Sequence, residues 1–211
     1  MKNQVKIKVC GMRDPENIQG ILSAEPDYLG YIFYSKSKRY VGKNPGPEIF
    51  EIVSKSTRKV GVFVNEPLDN VITACRDFKL EVAQLHGNED PDYCSLIRST
   101  GLTVLKAFSI DEEFDFSLLE TYSGAVDYFL FDTKGKLPGG TGLKFDWDIL
   151  QSYQLSVPFF LSGGIKPDDV EALQKFNHEQ LYALDINSGF EVSPALKSIN
   201  KVQDFIQKIR K

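Results

Sequence analysis

A chain of 211 residues that is 42% hydrophobic carries enough apolar mass for one substantial core, and no linker-like tract divides it, so a single domain over residues 1–211 is expected. A formal charge of −4 argues against a general nucleic-acid or anionic-membrane surface, though a local anion site needs only backbone amides and a few basic side chains. Three cysteines, Cys10, Cys75 and Cys94, stand in no CxxC spacing, which argues against a disulfide framework and a structural zinc site.

No signal-like segment is expected, because Lys6 and Lys8 interrupt the first hydrophobic run. No apolar stretch approaches the roughly 20 residues that span a bilayer, so a cytoplasmic location is expected, with a monomer as the default.

The first strand is expected over residues 5–10, VKIKVC. Its alternation sets Lys6, Lys8 and Cys10 on one face and Val5, Ile7 and Val9 on the other. An apolar face suits a shell of helices, so the Lys/Cys row is expected to point inward. Lys8 would then stand roughly 7 Å from Cys10, two residues along the strand, and lower the thiol pKa. Asp14 and Pro15 follow as an N-cap and a first helical residue.

Further strand-like runs follow at 28–33, 59–64, 81–85, 103–107, 127–131, 157–161 and 181–185, with helix-sized segments between most of them. Asp90-Pro91 repeats the capping signal, and Ser193-Pro194 is read the same way, starting a last helix with Leu196, Ile199, Val202, Phe205, Ile206 and Ile209 on one face. Cys75 shares a helical face with Val71 and Phe78, and Cys94 adjoins Leu96 and Ile97, so both are expected in the core. Eight strands separated by helices in this length predict an α/β fold, a compact single-domain (β/α)8 TIM barrel. A doubly wound open sheet is the competitor, but its Gly-rich first turn is replaced here by CGMRD.

Barrel chemistry sits where the strands end. Strand one ends at Cys10, strand two runs into a loop bearing Lys36, Lys38 and Arg39, strand four ends at His86 and strand six at Asp132. Strands seven and eight lead into Ser162-Gly163-Gly164 and Asp185-Ile186-Asn187-Ser188-Gly189. Bare glycine backbone and a short helical turn opening at Ser188-Gly189 suit a phosphate, although both loops also read as tight turns. A thiolate base at Cys10 and a carboxylic acid at Asp132 could share an acid–base reaction; alternatively they are a strand-end filler and a turn cap. His86 has no partner ligands at metal spacing and is read as a neutral imidazole lining the pocket. The fork of Arg39 suits a carboxylate if it faces the rim.

Together, KVCGMRD, FYSKSKRYV, VGVFVN, QLHG, FDTKGKLPGGTGLKFDW, LSGGIKPDDV and DINSGFE resemble the phosphoribosylanthranilate isomerases of tryptophan biosynthesis, in the family's order and over nearly the whole chain. The resemblance implies a cofactor-free, metal-free Amadori rearrangement of N-(5-phosphoribosyl)anthranilate to 1-(2-carboxyphenylamino)-1-deoxyribulose 5-phosphate. It implies Cys10 as general base, Asp132 as general acid and Arg39 as the ligand of the anthranilate carboxylate. It also implies phosphate binding by Gly163, Gly164, Asp185, Ser188 and Gly189, and the glycines of residues 135–142 suggest a lid. The alternatives are a histidine-pathway type of phosphosugar isomerase and a non-catalytic phosphosugar-binding barrel. The first uses an aspartate where Cys10 stands, and the second would not need Cys10, Asp132 and Arg39 together.

Overall fold

A computed structural model describes residues 4–133 and 147–211. The strands are β1 (Lys6–Cys10), β2 (Tyr28–Ile32), β3 (Arg58–Phe63), β4 (Val82–Leu85), β5 (Thr103–Ile110), β6 (Tyr128–Thr133), β7 (Phe159–Leu161) and β8 (Leu181–Ile186). They form a closed barrel in sequence order. The seam pairs β1 with β8 in parallel, Lys8 opposite Asp185 and Val9 opposite Ile186. Every strand anticipated from the sequence is present. Helices α1 (Pro15–Leu22), α2 (Glu48–Glu51), α3 (Leu68–Asp77), α4 (Pro91–Ser99), α5 (Val170–Lys175) and α6 (Ile199–Ile209) join the connections, with 3₁₀ segments at Phe116–Tyr122 and Trp147–Ser152. The glycine-rich segment expected as a lid, residues 135–142, lies outside the described residues.

Strand alternation divides the core in two. Ile7, Val9, Leu29 and Leu184 face outward and pack with Ile18, Ile21, Val71, Ile97 and Phe205 of the helices. Tyr28, Val60, Val82, Leu105, Leu130, Phe160 and Ala183 fill the barrel interior. Lys8 belongs to that interior and is fully buried, as the alternation predicts. Lys6 does not join it: at the far end of β1 it stays half-exposed and pairs with Asp27 at 3.0 Å.

Two helix starts are as expected. The Asp14 and Asp90 carboxylates accept from the backbone N–H of Asn17 and Tyr93, each at 2.8 Å. The third start is different. Ser193-Pro194 does not cap a helix; it turns a two-stranded hairpin of β9 (Glu191–Ser193) and β10 (Leu196–Lys197), and α6 begins only at Ile199. Ala195 holds a left-handed φ of 67°, which a helix start does not allow, and its N–H donates to Glu191 Oε1 at 3.0 Å. Leu196 therefore leaves the apolar face assigned to it, while Val202, Phe205 and Ile206 keep theirs in the core. Cys75 and Cys94 lie in the core as expected. No helix among the described residues is long and apolar enough to cross a membrane.

Candidate active site

β1 stops because the chain must turn. Gly11 takes a φ of 77°, and the N–H groups of Gly11 and Met12 both donate to the Gly30 carbonyl at 2.9 Å. Cys10 is thereby left as the last inward side chain of its strand, lining a cavity at the strand ends.

The cavity has a polar and an apolar side. Cys10, Gln84, His86, Asp132 and Asp185 line it at the strand ends, while Ile32, Tyr34, Val62 and Val64 from the β2 and β3 side form an apolar wall. Gly163, Gly164 and Ser188 border it where the connections after β7 and β8 meet. Gly163 and Gly164 have φ of 84° and 68°, a conformation that side-chain-bearing residues rarely adopt. Gly189 does not line the cavity: a Cβ there would stand 2.4 Å from the Ile165 carbonyl, so this glycine lets the two loops touch. Ser188–Phe190 forms the short helical turn anticipated from the sequence.

Seven of the nine sequence-derived candidates, Cys10, His86, Asp132, Gly163, Gly164, Asp185 and Ser188, thus border one cavity. Asp185, expected as a phosphate ligand, borders the cavity and is also the counter-ion of a buried lysine. Its Oδ1 accepts from Lys8 Nζ at 2.8 Å, both side chains are buried, and Ser162 Oγ lies 3.5 Å from Oδ2. Burial disfavours the Lys8 ammonium, but Asp185 and Cys10 together more than offset this and hold the lysine pKa above its ordinary value, while burial outweighs Lys8 at its partner and pushes the Asp185 carboxyl up. His86 Nε2 faces Asp132 Oδ2 at 3.5 Å, and Gln84 Nε2 approaches His86 Nδ1 at 2.9 Å. With the amide so assigned, Nδ1 is the acceptor and the ring proton of a neutral His86 sits on Nε2, toward Asp132.

The expected depression of the thiol pKa is not what the fold produces. Burial pushes Cys10 up from its ordinary value; Lys8 and Lys197 pull it down and Asp185 pushes it further up. The direction of the Lys8 effect is as expected, but Lys8 is already committed to Asp185, and desolvation of the thiol wins.

Arg39 stands beside the cavity and not in its lining. A Cβ on Gly11 would meet Arg39 Cδ at 2.8 Å, which puts the arginine against the residue that follows Cys10. Its fork is closed on a protein carboxylate: Nε and Nη2 donate to Glu191 Oε1 and Oε2, both at 2.7 Å. Lys197 Nζ donates to the same Oε1 at 2.6 Å and to Asn187 Oδ1 at 2.8 Å. Burial opposes the Glu191 charge, but the hydrogen bonds of Arg39 and Lys197 outweigh it and hold the carboxyl at about 2. Sequence reading passed over Gln84, Glu191 and Lys197. The first two stand inside motifs already singled out, QLHG and DINSGFE, but nothing in a linear motif says which residue a carboxylate will meet.

Comparison with known proteins gives this geometry a context. The family model described as N-(5'-phosphoribosyl)anthranilate (PRA) isomerase matches residues 7–208. The N-(5'-phosphoribosyl)anthranilate isomerase of Parabacteroides distasonis is 44% identical over 204 residues, covering 96% of this chain and 92% of that protein. The crystal structure of the phosphoribosyl anthranilate isomerase from Thermotoga maritima superposes with a TM-score of 0.86 at 29% identity, over 97% of this chain and 98% of that one. A phosphoribosyl anthranilate isomerase solved in complex with reduced 1-(o-carboxyphenylamino)-1-deoxyribulose 5-phosphate gives 0.83 at 28% identity, with the same coverage.

Proposed function

The chain belongs to the N-(5'-phosphoribosyl)anthranilate isomerase family, and from that premise we infer that it catalyses the Amadori rearrangement of N-(5-phosphoribosyl)anthranilate in tryptophan biosynthesis. The observation that carries the residue roles is the placement of Cys10 and Asp132 on one cavity that Gly163, Gly164 and Ser188 also border, from the ends of the strands between them. The two alternatives raised by the sequence, a histidine-pathway isomerase and a binding-only barrel, are not favoured, since the matched family is that of the anthranilate substrate over almost the full chain.

In this reading the phosphate rests on the backbone of Gly163 and Gly164 and on Ser188, so binding energy far from the reacting carbons orients an opened, flexible sugar. The apolar wall of Ile32, Val62 and Val64 suits the aromatic ring. Asp132 as the carboxylic acid gives its proton to the furanose ring oxygen, the C1′–O bond breaks, and the nitrogen lone pair forms the iminium. Cys10 as thiolate then takes the C2′ proton, and the electron pair left behind neutralises the iminium to give the enol-amine that tautomerises to the ketose. Lys8 and Lys197 favour the thiolate against burial. His86, with its Nε2 proton toward Asp132 at 3.5 Å, is placed to stabilise the negative charge that proton transfer leaves on the Asp132 carboxylate.

Freshly generated N-(5-phosphoribosyl)anthranilate, followed by loss of its fluorescence, tests the proposal. The wild type should turn it over. Cys10→Ala and Asp132→Ala should each lose at least about 10²-fold in kcat, the scale of one acid or base in the transition state. Full-rate turnover by either variant overturns that residue's role, and no turnover by the wild type overturns the reaction.

A further inference from the structure

The role of Arg39 depends on residues outside the cavity. A guanidinium has five N–H donors in a rigid plane. Glu191 takes the side-on pair, the Nε proton and one Nη2 proton, and leaves the end-on pair of Nη1 and Nη2 unused by that carboxylate. Glu191 is itself immobilised, since Oε1 also accepts from Lys197 Nζ and from the Ala195 backbone N–H. Lys197 is immobilised in turn: its backbone N–H and C=O pair with Asn17 Oδ1 and Nδ2 of α1, each at 2.8 Å, and its ammonium is completely buried. The cluster bears directly on the base, because a Cβ on Gly11 would lie 3.4 Å from Lys197 Nζ and 3.0 Å from Asn187 Oδ1.

We propose that Glu191 and Lys197 of the β9–β10 hairpin are positioning residues for this reaction: Glu191 occupies the side-on edge of Arg39 so that its end-on edge is presented to the substrate carboxylate, and Lys197 locks Glu191 while bringing a second ammonium to Cys10. The hairpin, which the Ser193-Pro194 signal disguised as a helix start, then has a chemical reason to exist. The groups that act on Cys10 electrostatically are Lys8, Lys197 and Arg39 as cations and Asp185 as an anion, with Glu191 holding two of those cations. Cations outnumber carboxylates there, and a thiolate or an incoming carboxylate redresses the balance. A bidentate end-on contact accounts for an arginine at this place; a lysine has no second edge to offer.

The proposal rests on the reading of Arg39 and Cys10 given above, so its test has one arm that needs no substrate. Alkylation of Cys10 by iodoacetamide, read as modified Cys10 peptide by mass spectrometry across pH 6–10 or so, reports the thiolate. Lys197→Met should move that profile about one pH unit upward, and Lys197→Arg should return most of the shift. Glu191→Gln should raise KM at least about tenfold with a smaller change in kcat, because the arginine loses its fixed edge while base and acid stay in place. If either single variant fails to fold, the double variant Glu191→Gln/Lys197→Met, which removes both charges together, carries the same two readouts, and circular dichroism verifies its fold. An unchanged alkylation profile without Lys197 overturns its part, and an unchanged KM without the Glu191 carboxylate overturns the clamp. An alkylation shift as expected beside a fully active Cys10→Ala would instead overturn the catalytic reading and leave the electrostatic coupling standing.

Discussion

Lys8→Met is the perturbation whose cost the structure fixes best. The ammonium lies 2.8 Å from Asp185 Oδ1, with 0% and 5% of the two side chains exposed. At an effective dielectric of about 20 the attraction across that 2.8 Å is about 6 kcal/mol, and the desolvation of both ions cancels much of it. Removing only the lysine leaves the carboxylate buried among the barrel strands with the Ser162 hydroxyl 3.5 Å away, so the expected loss of stability at pH 7 is about 3–5 kcal/mol. Methionine matches the lysine stem, so little of this is a cavity effect. The loss should shrink as pH falls: burial already holds the Asp185 carboxyl above its ordinary value in spite of Lys8, and more so without it, so the neutral acid is the form the folded variant tolerates, and below the unfolded pKa of about 3.9 the penalty is gone. Urea unfolding followed by the fluorescence of Trp147 at pH 7 and pH 5 measures both. Asp185→Leu in the Lys8→Met background should recover most of the loss, since an apolar pair of similar volume replaces a buried ion pair at little cost. The Cys10 alkylation profile of Lys8→Met should also move to higher pH, because one of the two ammonium groups that pull the thiol down is gone. A loss under about 1 kcal/mol that does not vary with pH, together with additive single and double variants, would refute the assignment of a buried ion pair.

Three other outcomes are expected. Gly30→Ala would set a methyl 2.8 Å from Cys10 Sγ and 3.2 Å from Cys10 Cα, so it should cost about 1–3 kcal/mol in a thermal melt and lower kcat by displacing the thiol. Glu191, at about 2 against an ordinary 4.5, stabilises the fold above pH 4.5 and loses that contribution as pH falls toward 2; Glu191→Gln should remove roughly 1–2 kcal/mol of acid-sensitive stability, allowing for solvent screening, and flatten that limb of the pH–stability curve. Lys106→Met should cost about 3–5 kcal/mol and raise amide exchange in the His86 loop, because Lys106 Nζ donates to the Gly87 carbonyl at 2.7 Å and to Glu89, which in turn accepts from the backbone N–H groups of Asn65 and Gly87.

The barrel was legible because its signals are local. Eight β-rich runs, the Asp14-Pro15 and Asp90-Pro91 caps and the alternation in VKIKVC each depend on neighbours along the chain, and each has its counterpart in the fold. Strand ends then put most of the site on one rim without any knowledge of contacts. The misread element was also local in appearance. Proline has the same fixed φ at the first position of a helix and at the second position of a turn, so Ser193-Pro194 fits both, and only the left-handed Ala195 and the pull of Glu191 on its N–H decide for the hairpin. What could not be read were pairings across the fold. Arg39 and Glu191 are 152 residues apart and Lys8 and Asp185 are 177 apart, and a carboxylate in a motif gives no sign of which cation it will meet. The net direction of the Cys10 shift failed chiefly because burial of the thiol outweighs the cations, and the spacing that put Lys8 near it revealed neither that burial nor that Asp185 already held the lysine.

Depth does not distinguish the cysteine proposed as base from the other two in this barrel. Cys10, Cys75 and Cys94 are 4%, 2% and 0% exposed, and burial pushes all three thiols up, the last two to about 12. Cys75 has no compensating cation. Cys94 has only Lys106, whose ammonium is already divided among Leu85, Gly87 and Ala107 carbonyls and Glu89. Cys10 differs in two respects: two ammonium groups act on it, and it borders a cavity. Those are the conditions under which a raised thiol pKa suits the base role proposed for Cys10. A base that accepts a proton strongly in a dry site is an asset when the donor is an iminium-activated carbon, because transfer from C2′ neutralises the thiolate and the iminium together. The step then removes charge from a buried site instead of creating it, and the desolvation that disfavours the free thiolate works in the direction of the reaction.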